Sequence, residues 1–595
     1  MVSEPGRALL HDETRKAWLS FSAPRRVIDA HRVDEVVRAL REVEDAVGGT
    51  QCWAVGFVSY EAGPAFDPAV AVRGGGRFPL VWFGIYDQPV ETAAPSGLPT
   101  AHAAADWRPS VTPREYRDAI GRIKEYIRSG DTYQVNYTYR LRRPCVEDPF
   151  EIFTAIASAQ RASYAAFIDT GEWVVCSASP ELFFRLDGAV IESRPMKGTA
   201  PRGLTAGEDH LRAESLLGSA KDRAENVMIV DMVRNDLGRI ADTGSVSVSR
   251  LYQIEKYPTI WQMTTTVRAE THAGLSGIFE ALFPPASVTG APKLRTTAII
   301  AELESTPRRV YTGAIGFWAP GRRAQFNVAI RTVLVDAKRR TAEYGVGGGI
   351  VWDSEPEKER EECETKARVL AAQWPEFRLL ETMRWAPGEG YFLGEEHLAR
   401  LTASAGYFDY PLDPEKARSE MKGLSQRLSP RPHRVRLLVD RAGRITLEAA
   451  VFTPPDPDAP LRVALARSPV DSSDPFLYHK TTHRRVYEEA RAECPGFEDV
   501  ILYNERGEVT ESTIANVAVE IDGALCTPPV SSGLLAGTYR ALLLDRKDIL
   551  ERTVAVEELL RSPRVLLLNS VQGIYPARVV GHGRTGEGAG RDGGD

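Results

Sequence analysis

A charged helical segment that ends at a proline divides this chain into two parts. Residues Pro356 to Ala372 carry many charges, and Gln373-Trp374-Pro375 follow them directly. Proline cannot continue a helix and disfavours helical geometry at the residue before it, so a helix end is predicted here. A chain of 595 residues is too long for a single hydrophobic core. We therefore place a domain boundary at residue 375.

Segments rich in proline, alanine or glycine predict the remaining domain organisation. Residues 1–375 are expected to form the first domain, with an N-terminal part over 1–106 and a core over 107–375. Residues 87–106 are rich in proline, alanine and threonine and are typical of a loop or linker. A second domain is expected over 376–580. The glycine-rich tail 581–595 is expected to be disordered because it cannot bury a core.

Composition excludes several classes of function. The hydrophobic fraction of 43% and the charged fraction of 26% are ordinary for a globular protein. With a net charge of −7 and no basic tract, neither nucleic acid nor an anionic membrane is expected as a partner. The six cysteines have no paired spacing, and the N-terminus resembles no signal peptide. Without a long apolar run to span a membrane, a cytoplasmic location is expected.

Apolar periodicity predicts mixed helices and strands. From Pro113 onward apolar residues recur at three- and four-residue steps, as on one face of a helix. A second amphipathic helix is predicted over Asp222 to Val233. The predicted strands are Tyr164 to Ile168, Trp173 to Cys176, Gly313 to Phe317 and Phe326 to Ile330.

A lysine between a proline and a glycine-threonine turn points to chemistry on a ring. The segment reads Glu192-Ser193-Arg194-Pro195-Met196-Lys197-Gly198-Thr199. Taken alone, Lys197 is either a nucleophile that can approach a ring carbon or a solvated surface lysine. The segment closely resembles the Pro-Ile/Met-Lys-Gly-Thr segment of aminodeoxychorismate synthases. Anthranilate synthases, the nearest relatives, usually carry an apolar residue in place of this lysine.

Further segments, in order, resemble the chorismate-utilising enzymes and cover about residues 113–372. They are Gly130-Asp131-Thr132-Tyr133-Gln134-Val135-Asn136, Ser179-Pro180-Glu181-Leu182, Arg234-Asn235-Asp236-Leu237-Gly238, Ser287-Val288-Thr289-Gly290-Ala291-Pro292-Lys293, Tyr311-Thr312-Gly313-Ala314-Ile315-Gly316, Ile330-Arg331-Thr332 and Gly347-Gly348-Gly349-Ile350-Val351.

Two carboxylates on separate predicted helices favour a metal ion. Glu225 shares a helical face with apolar residues, and Glu362 lies four residues before Lys366 on another helix. Carboxylates that converge repel each other unless a cation lies between them, and Mg²⁺ suits such a site. A surface helix with salt bridges is the alternative for Glu362.

The resemblance assigns roles to these residues. Glu225 and Glu362 would bind Mg²⁺, which would hold the ring carboxylate of chorismate. The other residues implied to contact substrate are Gln134, Thr289, Gly290, Tyr311, Arg331, Gly347, Gly348, Gly349 and Lys366. Among these, Arg331 and Lys366 would bind carboxylate charge, and the three consecutive glycines would offer backbone amides.

The reaction implied is an amination. Glu181 matches the family's general acid and would protonate the departing 4-hydroxyl group, which requires a raised pKa. Lys197 would add at ring C2, and ammonia would then enter at C4. Isochorismate and salicylate synthases usually carry a water-activating lysine at the position of Gln134, so glutamine favours amination. No glutamine-hydrolysing motif is visible, so ammonia is expected from a separate glutamine amidotransferase subunit.

From Phe377 onward the chain resembles the fold-type IV enzymes that use pyridoxal phosphate, a group with branched-chain aminotransferases and aminodeoxychorismate lyase. The segments that carry this resemblance are His397-Leu398-Ala399-Arg400-Leu401, Lys480, Thr510-Glu511-Ser512-Thr513-Ile514-Ala515-Asn516, Gly533-Leu534-Leu535-Ala536-Gly537-Thr538-Tyr539-Arg540 and Leu568-Asn569-Ser570-Val571-Gln572-Gly573.

This second resemblance also assigns roles. Lys480 would attach to the cofactor and move a proton, although alone it could belong to a solvated basic turn. Glu511 would keep the pyridine nitrogen protonated. The phosphate would be held by Arg400, Gly537, Thr538 and Ser570. Thr382 matches a position that serves proton delivery in the lyase, whereas Tyr539 stands where many relatives carry threonine.

The resemblances together predict an α+β fold with large antiparallel sheets, followed by a smaller two-part α/β domain. The predicted function is conversion of chorismate and ammonia to 4-amino-4-deoxychorismate, and then to 4-aminobenzoate and pyruvate. Within the second group, lyase and aminotransferase are nearly balanced on sequence, and the fusion favours the lyase. The alternatives are an anthranilate-forming enzyme with a fused aminotransferase and an inactive scaffold for an amidotransferase.

Overall fold

The computed structural model describes residues 4–95, 107–370, 375–453 and 459–580. These residues form two compact units, one over 4–202 and 212–370 and the other over 203–211 and 375–580. The predicted end of the charged helix at 371–374, much of the predicted linker and the predicted disordered tail lie outside the described residues.

The first part of the chain, residues 4–370, contains eight α-helices and twenty strands among its described residues. The helices are α1 (Val33–Val47), α2 (Pro113–Arg128), α3 (Pro149–Gln160), α4 (Ala206–Gly218), α5 (Ala220–Gly238), α6 (Leu275–Leu282), α7 (Lys293–Leu303) and α8 (Pro356–Ala367). The strands are β1 (Ala8–Asp12), β2 (Ala17–Phe21), β3 (Arg26–Ala30), β4 (Trp53–Val58), β5 (Val81–Tyr86), β6 (Val90–Thr92), β7 (Arg108–Pro109), β8 (Gln134–Pro144), β9 (Tyr164–Asp169), β10 (Trp173–Ser179), β11 (Leu182–Asp187), β12 (Val190–Arg194), β13 (Met196–Pro201), β14 (Ser247–Lys256), β15 (Ile260–Glu270), β16 (Gly290–Ala291), β17 (Ala314–Ala319), β18 (Arg323–Val328), β19 (Thr332–Asp336) and β20 (Thr341–Ile350).

Two antiparallel sheets organise this unit. One runs in the order β16-β8-β20-β19-β10-β9-β1-β2-β6, with β7 paired to β8. The other runs in the order β13-β15-β12-β11-β18-β17-β4-β5-β3, with β14 paired to β15. The predicted α+β fold with large antiparallel sheets is confirmed.

Helix α2 shows why the periodic segments fold as predicted. Its N-terminus is capped by Thr112, whose hydroxyl oxygen accepts a hydrogen bond from the Glu115 backbone N–H while the Glu115 side chain reaches back. Proline 113 occupies the first helical position, where its missing N–H is harmless. The buried stripe along the helix packs into a core that includes β8.

The other predicted elements are found with shifted ends. The helix predicted over Asp222 to Val233 is α5, which is longer at both ends. The charged helix α8 ends at Ala367, and a short 3₁₀ turn, Arg368–Leu370, follows. The four predicted strands correspond to β9, β10, β17 and β18.

The second part, residues 375–580, contains five α-helices and twelve strands among its described residues. The helices are α9 (Gly394–Phe408), α10 (Pro414–Ser425), α11 (Arg485–Glu493), α12 (Thr538–Asp545) and α13 (Val556–Arg561). The strands are β21 (Leu379–Ala386), β22 (Gly390–Tyr391), β23 (His433–Val439), β24 (Ile445–Val451), β25 (Leu461–Leu465), β26 (Asp499–Tyr503), β27 (Val509–Ser512), β28 (Asn516–Ile521), β29 (Ala524–Thr527), β30 (Leu550–Glu551), β31 (Val565–Asn569) and β32 (Gly573–Val579).

This unit has two sheets. An antiparallel sheet of four strands runs β22-β21-β23-β24, and a mixed sheet of eight runs β27-β26-β25-β32-β31-β28-β29-β30. The Leu380 backbone N–H donates to the Lys480 carbonyl at 3.0 Å, which fixes the segment that carries this lysine against β21. Within the described part of the chain, no helix is both long enough and apolar enough to cross a bilayer.

Candidate active sites

A cavity of about 350 Å³ lies in the first unit and collects residues from β13, α5, β20 and α8. We refer to it as the first cavity. The predicted site residues that line it are Glu181, Lys197, Glu225, Tyr311, Arg331, Gly347, Gly349, Glu362 and Lys366. Residues far apart in sequence are therefore brought to one place.

Lys197 is held at the wall of this cavity. Its side chain is only 16% exposed, and Nζ lies 3.1 Å from Oε2 of Glu225. The backbone around it is fixed because Asn226 Nδ2 donates to the Lys197 carbonyl at 3.2 Å. Gln262 Nε2 likewise donates to the Gly198 carbonyl at 2.7 Å. These contacts do not describe a solvated surface lysine.

Glu181 has the environment of a general acid. The residue is 3% exposed, and burial raises the pKa of its carboxyl group to about 7. Hydrogen bonds from the Ser287 hydroxyl and the Met196 backbone act in the opposite direction and do not cancel this effect. The group therefore retains a proton near neutral pH and can donate it into the cavity.

Helix α8 carries the second carboxylate together with a cation. Lys366 Nζ lies 2.6 Å from Glu362 Oε1 and donates to the Gly347 carbonyl at 2.9 Å. The Lys366 ammonium lowers the pKa of Glu362. The Lys366 carbonyl in turn accepts hydrogen bonds from Arg331 and from the Tyr344 hydroxyl. These contacts connect α8 to the glycine-rich end of β20.

The carboxylates suit a hard divalent cation with an incomplete protein coordination shell. No group of three or more metal-ligating side chains occurs among the described residues. Glu225 and Glu362 nevertheless line the same cavity from α5 and α8. Mg²⁺ typically takes one or two carboxylates and completes its shell with waters and substrate oxygens. Glu225 and Glu362 are ligands of the type that Mg²⁺ prefers, and in this structure each is paired with a lysine.

Gln134 is buried near Lys197. It is 0% exposed, and neither polar atom of its amide has a hydrogen-bonding partner among the described residues. A Cβ placed on Gly349 would lie 2.7 Å from Gln134 Nε2 and 2.6 Å from Lys197 Nζ. The absent side chain at Gly349 therefore keeps a space between these two groups.

Four of the predicted substrate residues lie outside the lining of the first cavity, namely Gln134, Thr289, Gly290 and Gly348. The Thr289 hydroxyl donates to the carbonyls of Pro285 and Ala286, within its own turn. A Cβ on Gly290 would lie 2.1 Å from the Gln134 carbonyl oxygen, so this glycine permits close pairing of β16 with β8. Gly348 faces Glu359, whose Oε2 would lie 3.2 Å from an added Cβ.

Two carboxylates that the sequence analysis missed also line the first cavity. Glu359 precedes Glu362 by three residues on α8, and burial raises the pKa of its carboxyl group. Asp222 precedes Glu225 by three residues on α5. Each of them lies three residues before a predicted metal ligand, and residues at this spacing share a helical face. That spacing could have identified both carboxylates from the sequence.

A cavity of about 420 Å³ lies in the second unit, and we refer to it as the second cavity. All predicted residues of the second site line it. They are Thr382, Arg400, Lys480, Glu511, Gly537, Thr538 and Ser570.

Lys480 and Glu511 have complementary environments. Burial, reinforced by the Arg400 cation, lowers the pKa of Lys480 to about 8, so part of this lysine is a free amine near neutral pH. Burial raises the pKa of Glu511 to about 7. The Tyr487 hydroxyl donates to Glu511 Oε1 at 2.7 Å, and Asn516 Nδ2 donates to Oε2 at 3.2 Å.

The second cavity also offers donors for an anion, and we refer to Arg400, Gly537, Thr538 and Ser570 as the anion cup. Gly537 caps the N-terminus of α12, and Thr538 begins that helix, where backbone N–H groups lack intrahelical partners. Arg400 donates to Glu381 through Nε at 2.9 Å and Nη2 at 2.6 Å. A buried lysine and an anion cup in one cavity suit the aldehyde and the phosphate of pyridoxal phosphate.

Comparison with protein families gives two matches. Residues 6–372 match the family described as chorismate binding enzyme. Residues 378–580 match the family described as amino-transferase class IV.

Relatives with both kinds of chorismate amination are found. Anthranilate synthase component 1 1 of Haloarcula marismortui is 39% identical over 48% of this chain and 56% of its own length. Aminodeoxychorismate synthase component 1 of Escherichia coli is 38% identical over 45% of this chain and 59% of its own length. The chain thus spans little more than half of these curated relatives, and sequence identity does not choose between their activities.

A solved structure supports the fold of the first unit. Anthranilate synthase component I from Streptococcus pneumoniae superposes with a TM-score of 0.51 at 23% sequence identity. The match covers 62% of this chain and 94% of that protein. At this identity the likeness establishes the fold alone.

Proposed function

Because the chain belongs to the chorismate binding enzyme family and continues into a class IV amino-transferase domain, we propose that it makes 4-aminobenzoate from chorismate in two steps. The first unit aminates chorismate to 4-amino-4-deoxychorismate. The second unit removes pyruvate from that intermediate. The reaction product distinguishes this proposal from anthranilate synthesis.

The position of Lys197 carries the first half of the proposal. Anthranilate synthases and aminodeoxychorismate synthases are similarly close relatives, so identity does not decide the product. The apolar residue usual at this position in anthranilate synthases has no nucleophilic group. Lys197 lies beside Glu225 and shares the first cavity with the buried acid Glu181. This arrangement suits attack on a ring carbon with assisted loss of a hydroxyl group.

The amination would proceed by two substitutions in this cavity. Glu181 would donate its proton to the 4-hydroxyl group, which leaves as water while the Lys197 amine bonds to ring C2. Ammonia would then bond to C4 and displace the lysine nitrogen from C2. The amide of Gln134 cannot act as a base. It would therefore not activate water by removing a proton, which favours ammonia as the nucleophile.

The charged residues would orient chorismate for this sequence. Glu225 and Glu362 would hold Mg²⁺, which neutralises carboxylate charge when bound. Arg331 and Lys366 would bind carboxylate oxygens directly, since both are cationic and line the same cavity. We expect ammonia to come from a glutamine amidotransferase subunit, as in the family that the sequence resembles.

In the second unit, pyridoxal phosphate would supply an electron sink when bound. The anion cup would hold its phosphate, and Glu511 would lie against the pyridine nitrogen. The Lys480 amine, with its pKa of about 8, would take the proton from C4 of the substrate ring. Loss of this proton aromatises the ring as the enolpyruvyl group leaves. Thr382 lines the same cavity and is proposed to help deliver the proton.

A class IV aminotransferase is the second candidate for this unit, because the family match covers that activity. The two candidates differ in what happens to 4-amino-4-deoxychorismate. A lyase releases pyruvate and 4-aminobenzoate in equal amounts. An aminotransferase leaves this intermediate in solution and exchanges amino groups between amino acids and keto acids.

The direct test is to incubate the purified chain with chorismate, Mg²⁺, pyridoxal phosphate and a high concentration of ammonium, and to separate the aromatic products by chromatography. Appearance of 4-aminobenzoate with equimolar pyruvate would support both steps. Accumulation of 4-amino-4-deoxychorismate would support the first step and overturn the second. Formation of anthranilate would overturn the role given to Lys197.

A further inference from the structure

A buried histidine lies directly behind the anion cup of the second cavity. His397 is 1% exposed and belongs to α9, three residues before Arg400 on the same helical face. Its ring does not line the cavity. Its two nitrogens instead connect β21 to the residues that do.

One side of the histidine is fixed by a buried carboxylate. His397 Nδ1 lies 2.7 Å from Oε2 of Glu381. Burial alone would raise the pKa of Glu381, but the Arg400 guanidinium and the His397 ring outweigh it and lower the pKa to about 2. The carboxylate is therefore ionised and can only accept hydrogen bonds, so the proton of this pair resides on Nδ1.

The other ring nitrogen of His397, Nε2, contacts two residues of the anion cup. His397 Nε2 lies 2.9 Å from Ser570 Oγ and 3.3 Å from Thr538 Oγ1. The two hydroxyl groups come from different elements, since Ser570 follows β31 and Thr538 begins α12. Each residue is 8% exposed, and both line the second cavity. A single ring nitrogen thus holds both hydroxyl groups at the cavity wall.

We propose that His397, fixed by Glu381, is a positioning residue for the phosphate group of the cofactor. Glu381 orients the ring. In this proposal Nε2 carries a hydrogen and donates to the hydroxyl oxygens of Ser570 and Thr538, so that each hydroxyl keeps its own proton for a phosphate oxygen. The Glu381 carboxylate also orients Arg400, another residue of the anion cup, because it accepts hydrogen bonds from Nε and Nη2 of the guanidinium group. A preoriented set of donors binds an anion more tightly than side chains that must first be ordered. This inference rests on the proposed use of pyridoxal phosphate.

Two substitutions distinguish the contributions of the two ring nitrogens of His397. The amide of asparagine can replace Nδ1 but is too short to replace Nε2, so His397→Asn keeps a donor for Glu381 and loses contact with the hydroxyl groups. The longer amide of glutamine can reach the position of Nε2, so His397→Gln retains that contact. Thr402→Ala on the same helix is the matched control, since the Thr402 hydroxyl donates only to the Leu398 carbonyl.

The test compares pyridoxal phosphate with pyridoxal, which has the same reactive aldehyde and no phosphate. Affinities are measured by titrating the full cofactor-free chain and following the visible absorbance of the lysine-bound compound. His397→Asn should weaken binding of pyridoxal phosphate by about tenfold to a hundredfold and leave pyridoxal binding unchanged. His397→Gln should lose less, and Thr402→Ala should bind both compounds like the parent.

A double-variant series tests the route through the hydroxyl groups. In a background of Ser570→Ala and Thr538→Val, His397→Asn should weaken phosphate binding little further, because its partners are already absent. Equal losses for the two compounds, or full additivity in this series, would overturn the proposal. If His397→Asn does not fold, His397→Gln is measured in both backgrounds instead, and a loss of pyridoxal phosphate affinity that disappears in the Ser570→Ala and Thr538→Val background supports the proposal. Failure of the parent chain to bind either compound would instead overturn the proposed cofactor, a result that the parent titration shows by itself.

Discussion

Burial of Glu181 is expected to set the pH range of the proposed amination. Glu181 has its pKa raised to about 7 by burial, and it can donate a proton only while protonated. Its useful form therefore predominates below pH 7 and disappears as the pH rises through that value. In the second unit, the free amine of Lys480 that would attach the cofactor increases as the pH rises through about 8. Cofactor attachment and the proposed amination are therefore expected to favour opposite sides of this interval.

For Glu181, the expected result is an acid-dependent amination rate. At constant free ammonia and saturating Mg²⁺, the pH profile of kcat/KM for chorismate should change slope near pH 7, where Glu181 loses its proton. Glu181→Gln should lower this parameter by about 10² to 10⁴-fold and abolish that change of slope. The measurement is a pH profile of the amination step. Glu361→Gln, at an exposed position of α8, should keep the parent profile, and an unchanged profile in Glu181→Gln would contradict the acid role.

The charge pair on α8 supports a second prediction. Glu362→Gln keeps the shape of the side chain but removes the charge that a cation needs, so the apparent affinity for Mg²⁺ should fall by about tenfold or more. Glu361→Gln, at the residue that precedes Glu362, is again the matched control. Amination rates as a function of Mg²⁺ concentration give the affinity, and calorimetric titration of Mg²⁺ provides a readout independent of activity. Equal Mg²⁺ affinities in the two variants would exclude Glu362 as a ligand.

The β8–β20 pair positions several groups of the first cavity at once. Ten consecutive residues of β20 pair with β8, and this register places Gly349 opposite Asn136. Two of the predicted glycines have different physical reasons to lack a side chain. At Gly290 an added Cβ would meet the backbone carbonyl of Gln134, whereas at Gly349 it would meet only the ends of two flexible side chains.

This difference makes Gly349→Ala an informative variant. Because Lys197 and Gln134 can move their side-chain ends away from the new methyl group, the thermal stability should change little. The same movement displaces the proposed nucleophile, so the amination rate should fall strongly. Gly290→Ala should instead destabilise the fold, because the backbone oxygen would lie 2.1 Å from the added Cβ. Thermal unfolding and amination assays on both variants check this contrast.

A matched control is available in α2. Gly121 has nothing within 4 Å of an added Cβ and occupies an exposed position inside the helix. Gly121→Ala should therefore stabilise the chain by about 0.5–1 kcal/mol and leave the amination rate unchanged. A loss of stability in Gly349→Ala as large as that in Gly290→Ala would show that Gly349 serves packing rather than access to Lys197.

The sequence predicted those elements whose signals are local. Helix α2 has an N-cap, a first-turn proline and a regular apolar stripe, and its predicted start at Pro113 is correct. The residues Glu362 and Lys366 could be paired from their spacing alone. Both cases depend on neighbours within one or two helical turns, which a single sequence contains.

Features that depend on residues far apart in sequence could not be predicted from local patterns. The partners of His397 lie as many as 173 residues away in sequence, so no spacing could reveal that it lies behind Ser570. The Thr289 hydroxyl could be expected to face the substrate, but its direction depends on a turn that offers two backbone carbonyls. Side-chain direction depends on tertiary structure, and the resemblance supplied residue identities without it.

The division of the chain into two units allows the two proposed steps to be separated by single substitutions. Lys197→Ala removes the proposed nucleophile of the first unit, and Lys480→Ala removes the proposed base of the second. Each substitution lies within one compact unit, and each cavity is lined by residues of its own unit. The effect of each variant is therefore expected to be confined to one half-reaction.

Lys197→Ala should stop conversion of chorismate but still release pyruvate from 4-amino-4-deoxychorismate that is supplied to it. Lys480→Ala should aminate chorismate at the parent rate, accumulate the amino intermediate and lack the visible absorbance of a lysine-bound cofactor. Mixing the two variants should restore 4-aminobenzoate formation, because the intermediate can pass between molecules through solution. Chromatography of the products over time measures all three outcomes. Failure of Lys197→Ala to release pyruvate from supplied 4-amino-4-deoxychorismate, or loss of amination in Lys480→Ala, would contradict the assignment of one step to each unit.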